Sequence, residues 1–544
     1  MRPVTEVAQD LGVSQDHLTL YGKWKAKISL QELQQDISKT KRGKLVLVTA
    51  MTPTPYGEGK TVTSIGLSIG LNHLGHRSIV CLRQPSLGPV FGVKGGAAGG
   101  GKSTVEPMHE INMGLTGDID AVGTAHNLLA AMLDNHIFHG NQLGIDPRAI
   151  SWPRAMDMNE RALRQIIIGL GGTKNGVPRE TGFVISAASE IMGVLSLSKN
   201  YADLKERLSR IIVGYGRRGE PVRAEQLKAV GAMAAVLRNA FEPNLVQTSE
   251  GTPALVHCGC FGNIAHGTAS IVSILLGLQH ADYCVVEAGF GSDLGAEKFV
   301  DIVARTGEFD TDAAVLVASV RAIKHHGGTL NGNPNLHSRE TMRTGLENLA
   351  KHIENVRIMG LTPIVAINKF PTDTREELEQ VTDFCKGQDV PHSVSTAFEE
   401  GSKGAIDLAE QVMEAAGRGS KASPIYPLEW RLEEKLETIV TRIYGGEGVE
   451  YEMEARRGIK QVSQLDLVKV PVCVAKTQLS LSDDQTRLGR PRGFKARVRR
   501  LAPAAGAGFT IAYMGDIITM PGLPKRPAAE DIDIDEKSTI IGVH

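Results

Sequence analysis

Leu45-Val-Leu-Val-Thr-Ala50 is an apolar run, followed by Thr52-Pro-Thr-Pro-Tyr-Gly-Glu-Gly-Lys-Thr61 and then by an amphipathic stretch through Leu74. Buried strand, glycine-containing loop and helix, in that order, are the context of a phosphate-binding loop. Gly57 and Gly59 let backbone N–H groups approach phosphate oxygens, Lys60 supplies charge for the β and γ phosphates, and Thr61 offers a hydroxyl to Mg²⁺. The loop ends on a helix amino terminus, whose unpaired N–H groups favour an anion. Thr54 stands where the Walker A pattern has its first glycine, and Pro53 and Pro55 stiffen the entry. The expected ATP contacts are therefore Thr54, Pro55, Tyr56, Gly57, Glu58, Gly59, Lys60 and Thr61.

Similar apolar runs recur at 79–82, 183–186, 283–287, 314–320, 363–368 and 470–475 and read as buried strands. Between them, stretches at 61–74, 159–170, 190–213 and 374–385 repeat apolar residues every three or four positions and read as helices. The alternation predicts an α/β fold, a P-loop NTPase-like, mainly parallel sheet flanked by helices, with additional α/β domains. Turn formers cluster at 171–180 and 417–427. The expected division is 1–175 with 240–360 as the nucleotide-binding domain, 176–239 as a helical insertion or subdomain, 361–420 as an α/β domain, and 421–544 as a C-terminal α/β domain.

A chain of 544 residues exceeds what one core supports. Its 60 basic and 61 acidic side chains nearly cancel, so no whole-chain field favours nucleic acid or an anionic membrane. Asp10 and Asp16 interrupt the amino terminus, which never makes a secretory apolar stretch, and the runs at 269–278 and 313–320 are too short to span a bilayer. Six cysteines without a CxxC pair suit a reducing cytoplasm. Cys258 and Cys260, with His257 and His266 nearby, raise zinc as an alternative, but small side chains in a turn explain the spacing better.

Glycine is the compositional anomaly: there are 60, against a usual share of about 7%. Six lie between Gly92 and Gly101, in a segment that starts at Arg83 and carries Lys94 and Lys102. Small residues with cations suit a loop around a second anion, and a planar guanidinium at Arg83 suits a carboxylate or acyl phosphate. The residues alone thus point to ATP-dependent activation of a small carboxylate.

Nearly end to end, the chain resembles the formate–tetrahydrofolate ligase family in its monofunctional form. The motifs are Tyr21-Gly and Lys25-Ala-Lys27, the loop at 52–61, the run from Leu82 to Lys102, Ile111-Asn112, Thr116-Gly-Asp118, Pro243 to Thr248, Asn263 to Gly267, Glu287 to Lys298, Val320 to Lys324, Ala475-Lys-Thr-Gln and Met520 to Lys525. The resemblance implies conversion of ATP, formate and tetrahydrofolate to 10-formyltetrahydrofolate, ADP and phosphate through formyl phosphate. It also implies a Mg²⁺ requirement, activation by a monovalent cation such as K⁺ or NH4⁺, and a homotetramer. By motif position, Lys60, Arg83 and Asp118 are the expected catalytic residues. Phe290, Phe398 and Asp118 line the folate side, Pro371 lies by the adenine, and the formyl phosphate site falls in the nucleotide-binding domain. Asn368-Lys-Phe-Pro-Thr-Asp373 is mis-spaced for a guanine reader.

The chain departs from the family pattern at Gln84, where a glutamate is usual, at His257-Cys-Gly-Cys-Phe-Gly262, at Thr268, at Phe398, where a tryptophan is usual, and at Tyr56. Two alternatives stay open: a related P-loop ligase or kinase acting on another small carboxylate, and a degenerate nucleotide- or folate-binding regulator, against which the intact Lys60, Thr61 and Arg83 argue.

Overall fold

The computed structural model describes residues 1–33, 42–55, 57–93, 98–262, 264–328, 339–465, 467–515 and 517–543. Tyr56, Lys94 and Asn263 lie outside the described residues. Among the described residues, a twelve-stranded sheet dominates. Its centre is parallel and consists of β1 (Lys44–Ala50), β2 (Ser78–Leu82), β3 (Pro253–Val256), β4 (Tyr283–Glu287), β5 (Ala313–Ala318), β6 (Pro363–Asn368) and β7 (His392–Ser395). The spatial order is β3-β2-β4-β1-β5-β6-β7. Asn244–Thr248 runs antiparallel beside β3, and Ala26–Ile28 antiparallel beside that.

Apart from the edge strand β7, the parallel strands are buried on both faces, which explains their largely apolar sequence. Leu45, Leu47, Cys81, Cys284 and Val286 face one core, with helices α2 (Asp118–Phe138) and α3 (Ile271–His280). Val46, Val48, Val80, Val285 and Val315 face another, with α1 (Lys60–His73) and α7 (Ile406–Gly417). Leu316, Ala318, Val365 and Ile367 pack under α4 (Val320–His326), α5 (Arg339–Ile358) and α6 (Arg375–Gly387). A second sheet, in the order β8-β10-β11-β9, contains β8 (Gly448–Tyr451), β9 (Val472–Ala475), β10 (Lys495–Ala504) and β11 (Phe509–Met514).

Two helical expectations fail. Over 159–170 there is a short turn at Arg161–Leu163 and then a strand, Ile166–Ile168, paired with Arg179–Thr181. Three successive β-branched side chains suit a strand better than a helix. Over 190–213 the chain forms Glu190–Leu197, then Tyr201–Arg210, then the strand Ile212–Gly216. The break falls at Asn200, whose side chain accepts from the Asp203 N–H at 2.9 Å and starts the second helix. The 176–239 segment is accordingly mixed: its helices are joined by strands at Arg179–Thr181, Phe183–Ile185, Ile212–Gly216 and Pro221–Arg223.

Helices α4 and α5 touch at Gly345, where a Cβ would lie 1.8 Å from the Ile323 carbonyl oxygen. That atom is backbone, so the helices themselves would have to separate. Gly345→Ala is expected to destabilise by about 1–3 kcal/mol despite its better helix propensity. Urea unfolding with an unchanged midpoint would contradict this close approach.

Candidate active site

In parallel sheets, ligands bind beyond the carboxyl ends of the strands, near points where the connections change direction. Here β1 lies between β4 and β5, and its connection leads outward to β2. The loop after β1 passes through Gly59, with φ at +74°, into α1. Around it, Arg83 follows β2, Glu287 ends β4, Ser319 follows β5, Asn368 ends β6 and Phe398 follows β7.

The loop is braced from its neighbours. Glu58 is buried; its Oε1 accepts from the Thr54 N–H at 2.8 Å and hydroxyl at 2.7 Å, and its Oε2 accepts from Ser319 Oγ. Asn368 Nδ2 donates to the Glu58 carbonyl at 3.1 Å, and a Cβ on Gly59 would sit 2.1 Å from that nitrogen. Glycine at 59 is therefore required by both the positive φ and the close approach. Arg321 Nη2 donates to the Gly57 carbonyl at 2.9 Å, and its guanidinium lies 4.2 Å from the Phe370 ring centroid. Pro371, next to Phe370, is exposed. Asp373 accepts from the Phe370 N–H at 2.8 Å, so Asn368 and Asp373 both serve the protein backbone in this loop.

Lys60, Thr61, Arg83 and Phe290 converge, with Glu287 between them. Thr61 Oγ1 donates to Glu287 Oε2 at 2.6 Å, and Arg83 Nη2 lies 3.5 Å from Glu287 Oε1. Arg83 Nη1 donates to the Cys260 carbonyl at 3.0 Å, and a Cβ on Gly289 would be 3.3 Å from both guanidinium nitrogens. Lys60 Nζ donates to the Phe290 carbonyl at 2.9 Å. Phe290 has φ at +61°, a conformation that costs a bulky residue about 1–3 kcal/mol and is found where a site over-determines the backbone. Glu287 was not among the expected site residues. Its signal was an acid ending an apolar strand, but only the strand order puts it beside the phosphate loop.

The hydroxyl of Thr61 and the carboxylate of Glu287 are hard oxygen donors at one point beside the loop, which fits Mg²⁺. Gln84 is buried; its N–H donates to the Cys258 carbonyl at 2.7 Å and its Nε2 to the Gly114 carbonyl at 3.3 Å. A carboxylate could not make the second bond, so glutamine suits this backbone. His257 has both ring nitrogens engaged, by Ser270 Oγ at 2.6 Å and the Ala240 carbonyl at 2.8 Å. Cys260 packs on Ser196 at 3.3 Å, and burial pushes its thiol up to about 12.

Asp118 and Phe398 occupy other surroundings. Asp118 starts α2 and is buried, accepting from Lys27 Nζ at 2.6 Å, Asn244 Nδ2 at 2.7 Å and Thr116 Oγ1 at 3.2 Å. Burial lowers the pKa of Lys27, while the Asp118 charge opposes that shift. Phe398 is 46% exposed and packs on the glycine-rich segment: a Cβ on Gly100 would be 3.0 Å from its ring, and its carbonyl accepts from the Lys102 N–H at 2.8 Å.

A family model described as formate–tetrahydrofolate ligase matches residues 1–544. The formate–tetrahydrofolate ligase of Pseudothermotoga lettingae is 52% identical over 543 residues, covering all of this chain and 98% of that protein.

Proposed function

The chain belongs to the formate–tetrahydrofolate ligase family; its activity is ATP-dependent ligation of formate to tetrahydrofolate, and we propose that the reaction runs through formyl phosphate in the crevice between the 52–61 loop and Phe290. The observation that carries this reading is the convergence of Lys60, Thr61, Arg83 and Glu287 at the carboxyl edge of β1, β2 and β4. The P-loop NTPase-like reading rests on the same arrangement of strand, loop, helix and a neighbouring strand that ends in an acid.

Formate is a poor electrophile because its charge is delocalised. In the proposed route a formate oxygen attacks the γ phosphorus, the bond to ADP breaks, and formyl phosphate remains. The N10 lone pair then attacks the formyl carbon, the carbon–oxygen bond breaks, and phosphate leaves with that oxygen while N10 gives up its proton. Catalysis of phosphoryl transfer is mostly positioning and charge neutralisation. Lys60 would meet the γ phosphate, and the Arg83 guanidinium would hold formate in line and then its acyl phosphate. Thr61, with Glu287 behind it, would hold Mg²⁺, which when bound neutralises β and γ phosphate oxygens. Phe290 and Phe398 would stack on the pterin, with Asp118 and Lys27 behind that side, and Pro371 would line the adenine. On this reading residues 1–175 and 240–360 carry the chemistry, and 361–420 adds the adenine-side and folate-side loops. Activation by K⁺ or NH4⁺, a homotetramer and a cytoplasmic location complete the proposal.

An assay matrix tests it: ATP with formate, with tetrahydrofolate, and with both, following ADP and the 10-formyl product together. Stoichiometric ADP and product only with both substrates supports the reading, and ADP release indifferent to formate refutes it. Glu287→Gln keeps an acceptor for Thr61 but removes the charge facing Arg83. Its kcat is expected to fall about 100-fold, with the Mg²⁺ concentration for half-maximal rate shifted upward. An unchanged Mg²⁺ dependence would remove Glu287 from the metal side.

A further inference from the structure

Motif Ala475-Lys-Thr-Gln belongs to the second sheet, and the proposed chemistry leaves it without a task. Lys476 directly follows β9 and is fully buried, with its Nζ 2.8 Å from Asp293 Oδ2, also buried. The same ammonium donates to the Ser480 carbonyl at 2.5 Å and the Thr477 carbonyl at 3.1 Å. Asp293 lies three residues after Phe290, at the start of a helical run over 292–307 that is wound wider than an α-helix along most of its length. Such windings are frequent at functional sites.

The adjacent residue is held from the opposite side. Ser292 Oγ bonds His352 Nδ1 at 2.7 Å, and His352 Nε2 bonds Thr52 Oγ1 at 2.8 Å, at the entrance to the phosphate loop. Burial pushes His352 down to about 3, so its ring is neutral and offers one donor and one acceptor to the two hydroxyls. On the same run, buried Lys298 donates to the carbonyls of Gly262 at 2.8 Å and Ala265 at 3.2 Å. A Cβ on Gly262 would be 2.9 Å from the Phe290 ring, so Lys298 fixes the surface on which that ring rests.

A fully buried ion pair contributes little net stability, because desolvation offsets its attraction. What such a pair does supply is a fixed geometry, and here the geometry fixed is that of a strained aromatic loop. We propose that Lys476, through Asp293, and His352, through Ser292, are positioning residues that clamp the Phe290 loop, so that the second sheet and α5 set the affinity for the pterin. The proposal rests on Phe290 facing the folate.

Asp293→Asn/Lys476→Met removes both charges together and avoids stranding one of them. Ser292→Ala removes the His352 bond from the same loop with little risk to folding. Both are compared with Phe290→Ala by measuring KM for tetrahydrofolate, formate and ATP. The expected result is a rise of about tenfold in KM for tetrahydrofolate in both clamp variants, with KM for ATP within about twofold of the parent. If Phe290→Ala raises that KM and the clamp variants do not, or if all three KM values rise together, the inference is overturned. If Phe290→Ala itself leaves the folate KM unchanged, the folate reading underneath has failed. Should the double variant not fold, Ser292→Ala decides.

Discussion

Arg83→Ala is expected to lower kcat/KM for formate by about 1,000-fold or more, ~4 kcal/mol of transition-state stabilisation. The guanidinium is anchored on the Cys260 carbonyl and faces Glu287, while Gly289 leaves its face uncovered. It is thus pre-oriented before an anion arrives, and removal forfeits a charge-assisted pair in a partly desolvated crevice. The loss should appear in formate activation and leave the affinity for ADP nearly unchanged. Added guanidinium ion restoring part of the rate would support the assignment; a variant with normal formate dependence would refute it. Lysine at 83 should rescue poorly, since a point charge cannot reproduce the planar fork.

Lys60→Ala should cost about as much, 100- to 1,000-fold in kcat, for a different reason. Lys60 Nζ rests on the Phe290 carbonyl, which ties the phosphate loop to the pterin loop. Its removal takes charge from the γ phosphate and also releases that carbonyl. A modest rise in KM for tetrahydrofolate should therefore accompany the fall in kcat. A fall in kcat with an unaltered folate KM would show the two loops to be uncoupled.

The parallel sheet was legible because strands buried on both faces are apolar without interruption, and 45–50, 79–82, 283–287 and 363–368 are of that kind. His392–Ser395 alternates polar residues and lacked that run, the four-residue Pro253–Val256 opens on a proline that reads as a strand breaker, and Ile166–Ile168 was hidden in a stretch whose spacing also fits a helix. The phosphate loop was legible because its chemistry is local: strand, glycines, lysine and threonine are contiguous. Glu287 was not, since its role depends on β4 lying beside β1, a non-local pairing that no single segment encodes. Asp118 illustrates the reverse case. Its motif marks it out, but only the fold reveals Lys27, Asn244 and Thr116 around its buried carboxylate.

The central claim, that ATP phosphorylates formate in this crevice, is tested most directly by following formate oxygen. With ¹⁸O-labelled formate, ATP and tetrahydrofolate, each turnover through formyl phosphate must deliver one labelled oxygen to inorganic phosphate and retain one in the 10-formyl group. Phosphate mass spectra with one label per turnover are the predicted result. Unlabelled phosphate, with product formed at the normal rate, would contradict it.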